Sequence, residues 1–145
     1  MVERMKAILR SQNLCVLATC HDNKPHCSLM AYVTDSEART VYVATRQDTT
    51  KYLNLLENRE VSLLVDTRAE DGTQDPASIR ALTVYGAYQP MSDPEREQLI
   101  RERLAERHPH LASLVRHPKS VIVPIRIVAF LLLEGVEAAH YEVLD

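Results

Sequence analysis

Apolar positions along this chain recur mainly with the two-residue period of a half-buried strand. Leu14-Cys15-Val16-Leu17-Ala18-Thr19 is a near-continuous apolar run, His21 to Pro25 supplies turn residues, and 26–33 runs back as a second strand. Asp35 to Arg39 forms another polar turn before Thr40-Val41-Tyr42-Val43-Ala44, whose β-branched and aromatic residues suit a pleated surface. The opening of the chain therefore reads as an antiparallel meander. Further strands are expected over 61–65, 78–89, 120–133 and 140–144. Within them Gly86 predicts a bulge or a close approach, Pro124 an edge or bulge, and Arg126 a need for a partner or an exit to water.

Helical spacing interrupts this pattern in a few places. Val2, Met5, Ile8 and Leu9 share one face of a helix over 2–11 that is expected to plug one end of a sheet. Tyr52, Leu55 and Leu56 predict a short helix ending at Asn58, a residue that tolerates the left-handed backbone common at helix ends. Ser92-Asp93-Pro94-Glu95 has the spacing of a capping box with proline in the first turn, so a helix with solvated polar faces is expected over about 93–107. His108-Pro109-His110 breaks it ahead of a small apolar cluster of Leu111, Leu114 and Val115, and these histidines read as turn and surface residues. The charged stretch 67–77, with Gly72 and Pro76, reads as an exposed loop. Six or seven antiparallel strands with three or four short flanking helices predict a mostly β, α+β fold. A small closed or split β-barrel forming one domain over 1–145 fits best.

Composition narrows the function classes. With 145 residues, 46% of them hydrophobic and 26% charged, the chain can bury one proper core. A net charge of −3 provides no global field for nucleic acid or an anionic membrane. No apolar run approaches the roughly 20 residues that cross a bilayer, and Met1 to Lys6 lacks a signal peptide's apolar core, so a cytoplasmic location is expected. Cys15, Cys20 and Cys27 are odd in number and fit reduced thiols, and with His21 and His26 they lack the tight spacing of zinc knuckles; no metal is expected.

The richest chemistry lies between the 40–44 strand and the short helix. Thr45, Arg46, Thr49, Thr50 and Lys51 place cations and hydroxyls where free backbone N–H groups and the positive end of a helix dipole converge, which suits a phosphate. The alternative stays open that Asp48 or Thr49 is an ordinary N-cap with Arg46 and Lys51 in solvent.

With these elements in order, the chain resembles the pyridoxamine 5′-phosphate oxidase-like, FMN-binding split-barrel superfamily. The resemblance is carried by CVLATCHDNKPHCSLMAYV after the opening helix, then VYVATRQDTTKYLNLLENREVSLLVD, then RALTVYGAYQPMSDPERE. It implies FMN as cofactor, with Thr49 and Lys51 matching the hydroxyl and lysine that hold the flavin phosphate. Thr50 stands where the oxidases proper carry an arginine, a role open to Arg46. His26, Cys27, Ser28, Leu29 and Met30 match the strand beside the isoalloxazine ring, and Arg80 matches in spacing, but the ring-contacting glutamine that follows it is Ala81. The substrate arginine and histidine of the oxidases have no counterpart in IRIVAFLLLEG, so vitamin B6 synthesis is not expected. The resemblance further implies a homodimer with flavin at the subunit interface.

The leading expectation is an FMN-dependent oxidoreductase acting on a small molecule, with a nicotinamide nucleotide as a possible electron donor. A flavin-binding or sensing protein without turnover is the alternative. Haem binding through His140 or His117, and a deazaflavin, are the lesser ones.

Overall fold

The computed structural model describes residues 1–71 and 75–145; Gly72 lies outside the described residues. Among the described residues eight strands form one antiparallel sheet: β1 (Leu14–His21), β2 (Lys24–Ala31), β3 (Val33–Thr34), β4 (Thr40–Arg46), β5 (Glu60–Asp66), β6 (Arg80–Tyr88), β7 (Ser120–Glu134) and β8 (Ala138–Val143). The helices are α1 (Val2–Ser11), α2 (Thr50–Glu57), α3 (Arg68–Asp71), α4 (Pro94–Arg107) and α5 (Ala112–Arg116).

The pairing path is β2-β1-β5-β6-β7-β4-β3, with β8 added along β7. Its two ends, β2 and β3, belong to one run of chain interrupted only at Tyr32. The first half of that run pairs with β1 and the second with β4, so the sheet curls almost into a barrel and parts where the run changes partner. The sequence pattern leaves a closed or a split barrel open, and the fold takes the split form.

Two buried contacts fix the change of partner. The Tyr32 hydroxyl donates to the Leu9 carbonyl of α1 at 2.5 Å, and its own carbonyl lies 2.7 Å from His108 Nε2. A carbonyl only accepts, so Nε2 carries the hydrogen. His108, expected at the surface, is buried. α1 delivers Met5, Ile8 and Leu9 into the main core among Leu17, Leu63, Leu82, Val84 and Phe130. A second, smaller core joins Tyr42, Ala44 and Ile122 of the sheet to Ile100, Leu104 and Val115 of α4 and α5.

Several local details differ from the sequence expectation for identifiable reasons. The first hairpin closes through Asp22 and Asn23 alone, both at positive φ, as a tight hairpin turn of opposite hand requires. Asn58 ends α2 in extended rather than left-handed backbone, because β5 follows at once. The α4 cap is Asp93, whose carboxylate accepts from the Glu95 and Arg96 N–H groups, in place of the expected Ser92. The polar face of α4 is not simply solvated: Arg101 reaches the Val115 carbonyl and Ser120, Arg103 the Thr34 carbonyl, and Arg107 the carbonyls of Arg10 and Gln12. The stretch expected as a plain loop begins with buried Thr67, whose hydroxyl accepts from the Arg80 N–H, and contains α3.

Gly86 sits at a register shift in β6, and a Cβ there would lie 2.6 Å from the Arg126 carbonyl oxygen. Pro124 occupies a central strand without breaking it. Its carbonyl accepts from Gln89 N at 3.0 Å, and a strand residue's N and C=O face the same side, so the missing N–H faces the end of β6.

Candidate functional site

The cleft opens at the split. Leu29, Met30 and Ala31 of β2 form one wall, Ala44, Thr45 and Arg46 of β4 another, and Thr49 and Lys51 the start of α2, around a volume of about 380 Å³. β2 pairs only with β1, so half of its backbone N–H and C=O groups remain outside the ladder. His110, Leu111 and Leu114 close the far side. These three follow the α4 break and carry no binding pattern in sequence; only the docking of α4 and α5 against β4 brings them to the cleft.

A chain of hydroxyls organises the polar end. Thr49 caps α2, accepting from Tyr52 N at 3.4 Å, and its own hydroxyl donates to the Arg46 carbonyl at 2.9 Å. With that single proton committed, the 3.1 Å contact between Thr45 and Thr49 has Thr45 as donor. Lys51 Nζ in turn donates to Thr45 Oγ1 at 3.5 Å. Among the described residues no carboxylate lies within ion-pair distance of Lys51. The first-turn N–H groups of Thr50 and Lys51 have no acceptor within the helix. The end of the cleft therefore presents one ammonium and the Lys51 N–H with little protein to receive them.

Arg46 is not free in this way. Its Nε and Nη2 contact Asp48 Oδ1 and Oδ2 at 3.1 and 3.0 Å. That hydrogen-bonded guanidinium holds the Asp48 carboxyl below the usual carboxylate range. Of the other residues singled out in sequence, His26, Cys27 and Ser28 lie further along β2 and Thr50 is exposed, all outside the cleft lining. Arg80 stands apart, 3.7 Å from Asp71. His140 faces Glu134 at 3.6 Å, and His117 Nδ1 accepts from Lys119 N at 3.0 Å; neither lines the cleft.

A second cleft of about 370 Å³ shares Leu14 and Leu29 with the first. It continues over Val16 and Leu64 to Gln12, Asp66 and Arg68. The two make one groove with a cationic end, an apolar middle and a polar far end. Buried Cys15 also borders it, its thiol pushed up to about 12 by burial and so held neutral. Among the described residues no group of three or more His, Cys, Asp and Glu is placed to hold a metal ion, and no helix is long and apolar enough to cross a membrane.

This arrangement sits in a known lineage. A family model described as pyridoxamine 5′-phosphate oxidase matches residues 1–132. The chain belongs to that family. No curated protein sequence matches it. Among solved structures, a putative pyridoxamine 5′-phosphate oxidase from Listeria innocua is 19% identical with a TM-score of 0.68, covering 96% of this chain and 95% of that one. An FAD-binding protein from Mesorhizobium loti is 18% identical at 0.76, with 94% and 96% covered. A heme binding protein from Mycobacterium smegmatis is 15% identical at 0.84; 97% of this chain covers only 57% of that one. At such identities these likenesses show the fold alone, which this chain shares with one protein described as FAD-binding and one described as heme-binding.

Proposed function

We propose that the groove binds a flavin nucleotide, FMN, and that the loaded protein is an oxidoreductase acting on a small molecule other than pyridoxamine phosphate. The observation that carries this reading is Lys51, an ammonium without a carboxylate partner among the described residues, set beside the Thr45 and Thr49 hydroxyls at the end of a cleft. A phosphate there gains charge-assisted hydrogen bonds from Lys51 and from the first N–H groups of α2. The apolar middle over Leu14 and Leu29 suits a flat ring, and the unpaired edge of β2 offers it backbone groups. The flavin supplies the redox chemistry, and the protein supplies binding and orientation.

The same face of the sheet exposes Leu14, Leu29, Leu64, Leu133, Tyr141 and Val143. A second copy of the chain would cover this surface and complete the groove, making a homodimer with flavin between subunits.

The test is titration of FMN and riboflavin, followed by flavin fluorescence. Lys51→Ala is expected to weaken FMN about tenfold to a hundredfold and leave riboflavin nearly unchanged, since only FMN carries the phosphate. Equal losses for both flavins would assign Lys51 a structural role; no loss for either would leave it a solvated surface residue. Oxidation of NADH or NADPH by the loaded protein separates an enzyme from a non-catalytic flavin binder. A haem reading is favoured only by His110 in the cleft wall, and a Soret band in the purified protein would establish it.

A further inference from the structure

The far end of the groove holds an acceptor and donors that the fold does not use. Asp66 Oδ1 accepts from both the backbone N–H and the Nε of Arg68, each at 2.9 Å. That leaves Asp66 Oδ2 and the two Nη groups of Arg68 without a hydrogen-bond partner among the described residues. The Asp66 side chain is only 14% exposed whereas Arg68 is 69% exposed, so a largely buried carboxylate is flanked by a guanidinium that can move over it. Both residues line the end of the groove opposite Lys51.

Asp66 is the direct cross-strand partner of Ala81. The alanine side chain has no hydrogen-bonding atom, so at this end of the sheet face the polar groups come from Asp66 and Arg68.

We infer that Asp66 and Arg68 recognise the imide edge of the ring, the Asp66 carboxylate accepting from the ring N–H and the Arg68 guanidinium donating to a flanking carbonyl. An imide presents acceptor, donor and acceptor in a row, and the unused Oδ2 and Nη groups offer the complementary acceptor and donor. The pair thus offers hydrogen bonds that neighbouring Ala81 cannot make. This rests on the flavin reading above and specifies which end of the ring faces Asp66.

The test compares riboflavin with 3-methylriboflavin, whose imide nitrogen carries no hydrogen, alongside FMN. Wild type is expected to bind riboflavin about tenfold or more tighter than the methylated ring, because a carboxylate loses its donor. Asp66→Asn should bring the two affinities together while keeping an oxygen for the Arg68 N–H. Arg68→Ala should weaken both rings by a similar factor and preserve the preference for riboflavin. A thermal midpoint close to that of wild type confirms that each variant is folded. If wild type binds FMN but does not distinguish the two rings, or if Asp66→Asn weakens both equally, the assignment to Asp66 is wrong and the flavin reading stands. If wild type binds no flavin, both fail together.

Discussion

Asp48 holds Arg46 through both of its carboxylate oxygens, at 3.1 and 3.0 Å, and so neutralises the cation that lines the cleft with Lys51. A phosphate entering the cleft competes with that carboxylate for the guanidinium. Asp48→Asn is expected to tighten FMN about two- to fivefold, the range of an exposed ion pair, without affecting riboflavin. The folded-state pKa of Asp48 lies below its unfolded value, so the pair's contribution is present above the unfolded pKa and is lost as pH falls through the folded one. The difference between variant and wild type should therefore hold constant from about pH 7 to 8, above the phosphate's own second ionisation at about pH 6. A difference that shrank within that window would assign the competition to another group.

Thr49 serves the helix before any ligand, because its hydroxyl already has both a donor and an acceptor within the protein. Thr49→Val should cost about 1 kcal/mol of stability through the lost cap, measurable in urea unfolding. Its effect on FMN should be well below that of Lys51→Ala. Matching losses of FMN affinity would show that the hydroxyl turns to the phosphate on binding.

Gly86 has no room for a side chain, with the Arg126 carbonyl and Ile125 Cγ2 lying 2.6 and 2.8 Å from the position of a Cβ. Gly86→Ala is expected to destabilise the fold by about 1–3 kcal/mol, since backbone on a neighbouring strand must shift. Unchanged stability in a thermal melt would mean that the bulge absorbs a methyl group.

Cys15 is shielded and neutral. Its pKa rises by burial from 9.0 to about 12, so the stability it contributes is present below pH 9.0 and is lost as pH rises toward about 12. At pH 8 iodoacetamide should leave Cys15 unmodified in the native protein and alkylate it after unfolding, as peptide mass mapping will show. Native modification would reveal local opening of β1.

The exposed apolar face predicts the state of assembly. Leu29→Glu combined with Leu133→Glu should give the mass of one chain by light scattering, where wild type gives two. A wild-type monomer at micromolar concentration would remove the second copy from the proposed site.

Local rules carry far in this chain wherever neighbouring residues decide the structure. The two-residue period locates the strands, Met5, Ile8 and Leu9 mark the face of α1 that enters the core, and Gly86 identifies its own bulge, since only a residue without Cβ tolerates such an approach. The cation and hydroxyls from Thr45 to Lys51 are likewise legible, because a strand end and a helix start adjoin in sequence. What the sequence leaves undetermined depends on side-chain placement or on partners distant along the chain. Arg46 looks as available as Lys51 until side-chain rotamers bring Asp48 onto it. His108 reads as a turn residue until the docking of α4 sets it against Tyr32, and His110, Leu111 and Leu114 become cleft wall only when the second core forms. Asp66 gains its place opposite Ala81 from the register of β5 on β6, which the burial of alternate side chains fixes and no local propensity encodes.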